Sequence, residues 1–398
     1  MIERYQTPEM TELWSQGATY ERWREVELAV LAATDLPLEV SAAIYPSPDV
    51  DTVADRELEV RHDFVAWLQT WTGAMSPDLR DRIHYGLTSS DVVDTGLGLA
   101  IKRAGELIRA EAGHLTIALS TYARLHDSTF RVGRTHGRPA EVTTWGHTLR
   151  HVSEQALRAA GAHATSSRAA SVAKMGGPVG TYAHLDRGTA AHVAAYLGLE
   201  LDETPTQVAN RDRIAAWAYD LCGLLAVCER VALEVRLGSL LGEITEHHSA
   251  GQVGSSAMPQ KVNPVRSENL TGLARLGRGY LTPLMESVAL WAERDISHSS
   301  VERVALVDLS TITHYALRQT ADLLRCISID REACLSHVRD AYPDLIRHWA
   351  LLRMIDGGAD RWGAHRALAK ANTLEEITAL LPGRAALPEL AWFLRNAT

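Results

Sequence analysis

Residues 254–269 read Gly-Ser-Ser-Ala-Met-Pro-Gln-Lys-Val-Asn-Pro-Val-Arg-Ser-Glu-Asn. Two hydroxyls, a lysine, an asparagine and a carboxylate stand close together in this stretch. Pro259 and Pro264 forbid regular helix across its middle, so the backbone is predicted to be a loop. Loops held by a rigid scaffold are where binding and catalytic groups tend to sit. By composition alone it would be an ordinary polar connection; the order of its residues says more.

The scaffold on either side is helical. Ile108, Ala112, Leu115, Leu119 and Tyr122 step by fours and threes, as one face of a long helix does. Leu149, Val152 and Ala156 mark a second helix. Leu221, Leu224, Cys228, Val231 and Val235 mark the longest periodic run, residues 214–241. Residues 270–290 and 304–326 resume the pattern, and Tyr20 to Ala33 has helical character. Thr88 or Ser89 could cap a helix that starts just after it. The fold class predicted is all-α, built around a bundle of long helices. By chain order the domains are 1–105, an N-terminal helical domain; 106–340, the central bundle carrying the loop; and 341–398, a small C-terminal helical domain. Stripes as long as Leu221 to Val235 are expected to need partner helices beyond one subunit's supply.

The bundle is broken at three places: residues 84–94, residues 133–144 and the loop at 254–269. Gly-Ser-Ser-X-Met-Pro-X-Lys-X-Asn-Pro resembles the signature of the fumarase/aspartase superfamily. Arg4-Tyr5, Arg61-His62-Asp63, His84-Tyr-Gly-Leu-Thr-Ser, Gly133-Arg-Thr-His-Gly, Gly180-Thr-Tyr, Gln207 with Arg211-Asp212-Arg213, and Glu293-Arg-Asp-Ile-Ser-His-Ser-Ser-Val-Glu-Arg303 together resemble the adenylosuccinate lyases. The resemblance covers the chain to about Val338. It implies a homotetramer with a central helix bundle, active sites built from three subunits, and β-elimination of fumarate from adenylosuccinate to give AMP. By family habit, succinyl-aminoimidazole-carboxamide ribotide is the second substrate, in purine synthesis.

The resemblance also implies roles. His136 is the candidate general acid; an imidazole suits proton delivery near neutral pH. A lone histidine would more often be structural, and its motif is what argues otherwise. Glu268 resembles the carboxylate that hydrogen-bonds this histidine. Ser255 is the candidate base, with Ser256 the neighbouring possibility. A free serine is a poor base, so Lys261 and loop N–H groups would have to hold its alkoxide. His62 would orient the substrate and assist the acid. Lys261, Asn263, Thr88 and Ser89 would bind a succinyl carboxylate. Arg4, Tyr5, Arg294, Ser299 and Arg303 match contacts to the nucleotide and its 5′-phosphate, which guanidinium groups suit. Gln207, Arg61, Asp63, Thr135 and Met258 complete the expected substrate contacts. The chain departs from the family pattern at Gln260, Val262, Val142 and Ile214. These positions flank the catalytic ones and leave the chemistry in place. The departures and the short C-terminal part bear on the leaving group. The alternatives are therefore a paralogue that eliminates fumarate or a related acid from another substituted succinate, and an inactive helical scaffold.

Composition sets outer bounds. The chain has 398 residues, 46% apolar and 22% charged, with a formal charge of −9. That balance argues against a nucleic-acid footprint, so an anionic ligand needs a local cationic pocket. The four cysteines include no Cys-X-X-Cys pair and suit a reducing compartment. The sequence offers no strong metal or organic cofactor site. His247-His248 beside Glu246 is the nearest approach to a metal-ligand set. The start of the chain has no apolar leader, and no window reaches 18 uncharged apolar residues. A cytoplasmic protein without membrane or nucleic-acid partners is expected.

Overall fold

The computed structural model describes residues 1–34, 36–247, 258, 260–383 and 386–394. Five long helices dominate it: Ser89–Leu125, Trp145–Ala170, Asp212–Leu240, Val265–Glu286 and Val307–Arg325. The longest is Ser89–Leu125, with 37 residues, rather than the 214–241 run. It starts just after Thr88, where the Thr88 N–H donates to the Asp91 carboxylate at 2.7 Å and the Asp91 N–H donates to the Thr88 carbonyl. An acid in the first turn also complements the helix dipole. The predicted stripe Ile108, Ala112, Leu115 and Leu119 is buried.

The chain forms two compact units, each assembled from separated segments. One holds residues 1–113, 157–228 and 272–318; the other holds 114–156, 229–271 and 319–398. Every boundary falls inside one of the five long helices.

In the first unit, helices approach closely where small residues permit. A Cβ on Gly98 would strike the Val172 backbone carbonyl, and one on Gly105 would strike Ser167. His163, fully buried, donates from Nε2 to the Gly105 carbonyl at 3.2 Å and accepts the Trp217 indole N–H at 3.3 Å. An aromatic core of Trp23, Phe64, Trp67 and Trp71 joins Gln16–Thr34 to Asp63–Thr72. A short parallel pair, Val172–Ala173 with Glu200–Leu201, belongs to this unit.

The second unit contains a hairpin where the sequence shows only a break between helices. Phe130–Thr135 pairs antiparallel with Arg138–Thr144. Val132 and Val142 pack with Val338 and Leu345 of the Arg331–Leu345 helix. Gly133 and Pro139 obscured the strands in sequence; a bulge between Gly133 and Arg134 accommodates the irregularity. Small C-terminal helices close on Ile346, Trp349, Ala350 and Ile377.

One expectation is corrected. Leu221, Leu224, Cys228, Val231 and Val235 are all buried within the single chain, so that stripe needs no partner subunit. Exposed apolar residues lie on another side of the same helix: Tyr219, Leu233, Leu237 and Leu240. No helix among the described residues is long and apolar enough to cross a membrane.

Candidate active site

The hairpin presents its motif at the tip. His136 and Gly137 both have positive φ, 52° and 75°, between paired Thr135 and Arg138. This is the two-residue turn whose twist matches the flanking strands. Glycine enters that region freely, and histidine is among the side chains enriched there. The base of the hairpin is anchored: Arg131 lies 3.6 Å over the Trp145 ring and 3.2 Å from Glu234. Thr135 and His136 are exposed at the other end. A cavity of about 1130 Å³ runs beside the hairpin, lined in part by Thr135, Gly137, Arg230, Glu234 and His348.

Of the signature loop, Ser255 and Ser256 lie outside the described residues. Met258, Lys261, Asn263 and Glu268 lie within them. The Lys261 N–H donates to the Met258 carbonyl at 3.0 Å, and its side chain is exposed. The Asn263 carbonyl accepts from Val265 at 2.9 Å. Glu268 sits exposed in the first turn of Val265–Glu286. Its pairing with His136, implied by the resemblance, is not made within the described chain. Glu246 caps that helix, accepting from the Arg266 and Ser267 N–H groups and the Ser267 hydroxyl. It acts there as a carboxylate at a helix N-terminus. No cluster of three metal-ligating side chains exists among the described residues.

The remaining candidates belong to the first unit. Arg61 ends one helix in left-handed conformation, φ 57°, and is exposed. His62 caps the next helix, its Nδ1 accepting the Val65 N–H at 3.4 Å. Asp63 accepts the Phe64 N–H at 2.7 Å and pairs with Arg303. Burial opposes its ionisation, but the Arg303 bond and charge outweigh that and hold the carboxyl below its ordinary pKa. Arg303 also donates to the Ser299 hydroxyl at 3.3 Å. Arg294 donates to the Gln207 side-chain oxygen at 3.2 Å, and the Gln207 N–H to the Glu293 carbonyl. Arg294, Ser299 and Arg303 line one cavity of about 290 Å³. Thr88 and Ser89 are half-buried at the start of Ser89–Leu125. Arg4 is exposed, and Tyr5 meets Tyr315 edge-on at 5.7 Å.

Sequence reasoning missed the buried charges behind these groups. Lys174, wholly buried, reaches Asp91 and the Gly177 carbonyl at 2.7 Å each. Arg211 takes Asp94 and Glu302 together, with His298 beside it. Burial opposes the Asp94 charge, yet Arg211 holds its carboxyl below the ordinary range. A π-helical turn, Glu302–Leu306, begins at this cluster, and such turns are frequent at functional sites. The available signal was the clustering of Asp91, Asp94 and Arg211 inside matched motifs; type alone made each a surface charge.

The sequence profile of a family described as lyase matches residues 54–277. An adenylosuccinate lyase of Synechocystis is 40% identical over 92% of this chain and 87% of its own length. That of Bacillus subtilis is 34% identical over 92% and 86%. Among solved structures, a fumarate lyase from a Mesorhizobium species superposes with a TM-score of 0.83 at 20% identity, covering 93% of this chain and 86% of that one. A 3-carboxy-cis,cis-muconate lactonizing enzyme from Pseudomonas putida gives 0.80 at 25% identity, covering 92% and 85%. These structures share the helical fold. The curated relatives share far more of the sequence, and by them the chain belongs to the adenylosuccinate lyase family.

Proposed function

We propose that this enzyme eliminates fumarate from adenylosuccinate, giving AMP, and does the same to succinyl-aminoimidazole-carboxamide ribotide in cytoplasmic purine synthesis. The observation that carries the choice of substrate is the cavity wall of Arg294, Ser299 and Arg303. Two guanidinium groups and a hydroxyl suit a phosphate monoester. In the reaction, Ser255 takes a proton from the succinyl Cβ. Lys261 and Asn263, with Thr88 and Ser89, stabilise the resulting aci-carboxylate. The C–N bond then breaks as His136 delivers a proton to the leaving nitrogen. His136, exposed at a hairpin tip, needs surroundings that exclude water if it is to act as an acid. A homotetramer supplies them: another copy covers the tip and brings Glu268 to the histidine. The exposed residues Tyr219, Leu233, Leu237 and Leu240 on one helix support self-association.

The test is ultraviolet absorbance of the enzyme mixed with adenylosuccinate, compared with argininosuccinate. A shift of the purine absorbance together with the appearance of fumarate is expected with adenylosuccinate, and no fumarate with argininosuccinate. Turnover of argininosuccinate alone would sink the reading.

A further inference from the structure

Arg294 is held by a chain of bonds that ends in a buried ion cluster. Its Nε–H points at His298 Nε2 at 3.4 Å, and His298 is 3% exposed. A guanidinium only donates, so Nε2 must present its lone pair. The ring proton of the neutral imidazole is then on Nδ1. Two neighbours lie 3.2 Å from Nδ1: Arg211 Nη2 and Glu302 Oε2. Both hydrogens of Arg211 Nη2 are already committed, to Asp94 Oδ1 at 2.9 Å and Glu302 Oε2 at 3.1 Å. Nδ1–H therefore donates to Glu302. Glu302 in turn is fixed by Arg211, whose Nε reaches its other oxygen at 2.8 Å. One tautomer satisfies every member of this chain.

On the other side, Arg294 Nη1 donates to Gln207. With Nε and Nη1 fixed, the guanidinium plane is fixed, and the residue borders the cavity with Ser299 and Arg303. We propose that His298 is a positioning residue: it orients Arg294 toward the substrate's 5′-phosphate and thereby sets the preference for a phosphorylated substrate over its unphosphorylated counterpart. This rests on the substrate reading above. A planar fork recognises phosphate only when correctly oriented, so loss of the acceptor behind it costs discrimination before it costs chemistry.

The experiment compares kcat and KM for adenylosuccinate and for the corresponding nucleoside lacking phosphate, in the intact enzyme. His298→Leu keeps the volume roughly and removes both bonds. KM for adenylosuccinate should rise about 10-fold, the size of one charge-assisted bond, with kcat within about two-fold. The unphosphorylated substrate should be hardly affected. His298→Gln, which retains an acceptor and a donor, should recover much of the preference. If His298→Leu does not fold, Glu302→Gln reads the same direction, because it weakens the anchor of Nδ1–H. Equal losses on both substrates, or an unchanged preference, would overturn the proposal while leaving the substrate reading intact. A wild-type enzyme that leaves adenylosuccinate untouched would overturn both.

Discussion

The Lys174 ammonium meets the Asp91 carboxylate at 2.7 Å with neither side chain exposed to solvent. The same carboxylate accepts the N–H groups of Gly177 and Thr88. It thereby ties the start of Ser89–Leu125, where two substrate contacts are proposed, to the loop after residue 173. Burial holds the Lys174 pKa below its ordinary value, with Asp91 opposing that shift. Lys174→Met should leave an uncompensated buried carboxylate and cost about 3–5 kcal/mol. Denaturant unfolding measures this. A loss below about 1 kcal/mol would mean that water or the two N–H groups suffice.

His163 predicts a pH dependence. Burial pushes its pKa below the ordinary value, and the neutral ring satisfies both nitrogens. The unfolded chain binds this proton below about pH 6.5, where the native state still refuses it. Its contribution to stability is therefore complete above that pH and is lost as pH falls toward the native pKa. His126 and His314 are depressed in the same direction, burial again the largest cause. Unfolding free energy should fall as pH drops below about 6.5, and His163→Gln should flatten part of that slope. An unaltered slope in the variant would exclude His163 as a source.

Arg303 is 61% exposed on its side chain and is paired with Asp63. If it binds the phosphate, Arg303→Ala should weaken nucleotide binding about 10–150-fold, the usual worth of a charge-assisted bond. Stability should fall only modestly, since Arg303 is largely exposed although its partner Asp63 is half-buried. Calorimetric titration with AMP reads the affinity, and full affinity in the variant would remove Arg303 from the site.

His136 and Ser255 are proposed to work at opposite ends of one C–N bond. His136→Gln and Ser255→Ala should each lose about 10²–10⁴-fold in kcat while still folding. Neither is a core residue by this reading: His136 is exposed at the hairpin tip, and Ser255 is assigned to a loop. Mixing the two inactive variants under subunit exchange should then restore part of the activity, because some shared sites receive both native residues. Continued inactivity after proven exchange would reject sites shared between chains. An active Ser255→Ala variant would reject the base.

The amino-acid sequence by itself determined the helices and the family. Threes and fours of apolar residues put Ile108, Ala112, Leu115 and Leu119 on one face wherever that helix packs, and all are buried. Thr88 marked the helix start because capping is local: Asp91 lies three residues away. The signature and the Glu293–Arg303 motif were legible because their order, unlike composition, is specific. Tertiary structure decided what depends on partners distant in sequence. The hairpin at 130–144 was hidden by Gly133 and Pro139 and is fixed by Val338 and Leu345. Lys174 and Arg211 look like surface cations until Asp91, Asp94 and Glu302 surround them, since burial of a charge depends on its counter-charges. The stripe from Leu221 to Val235 was visible in sequence, but periodicity cannot say whether its cover comes from the same chain. Here the chain covers it and leaves Leu237 and Leu240 outside, because an apolar face specifies that it must be buried and not by what.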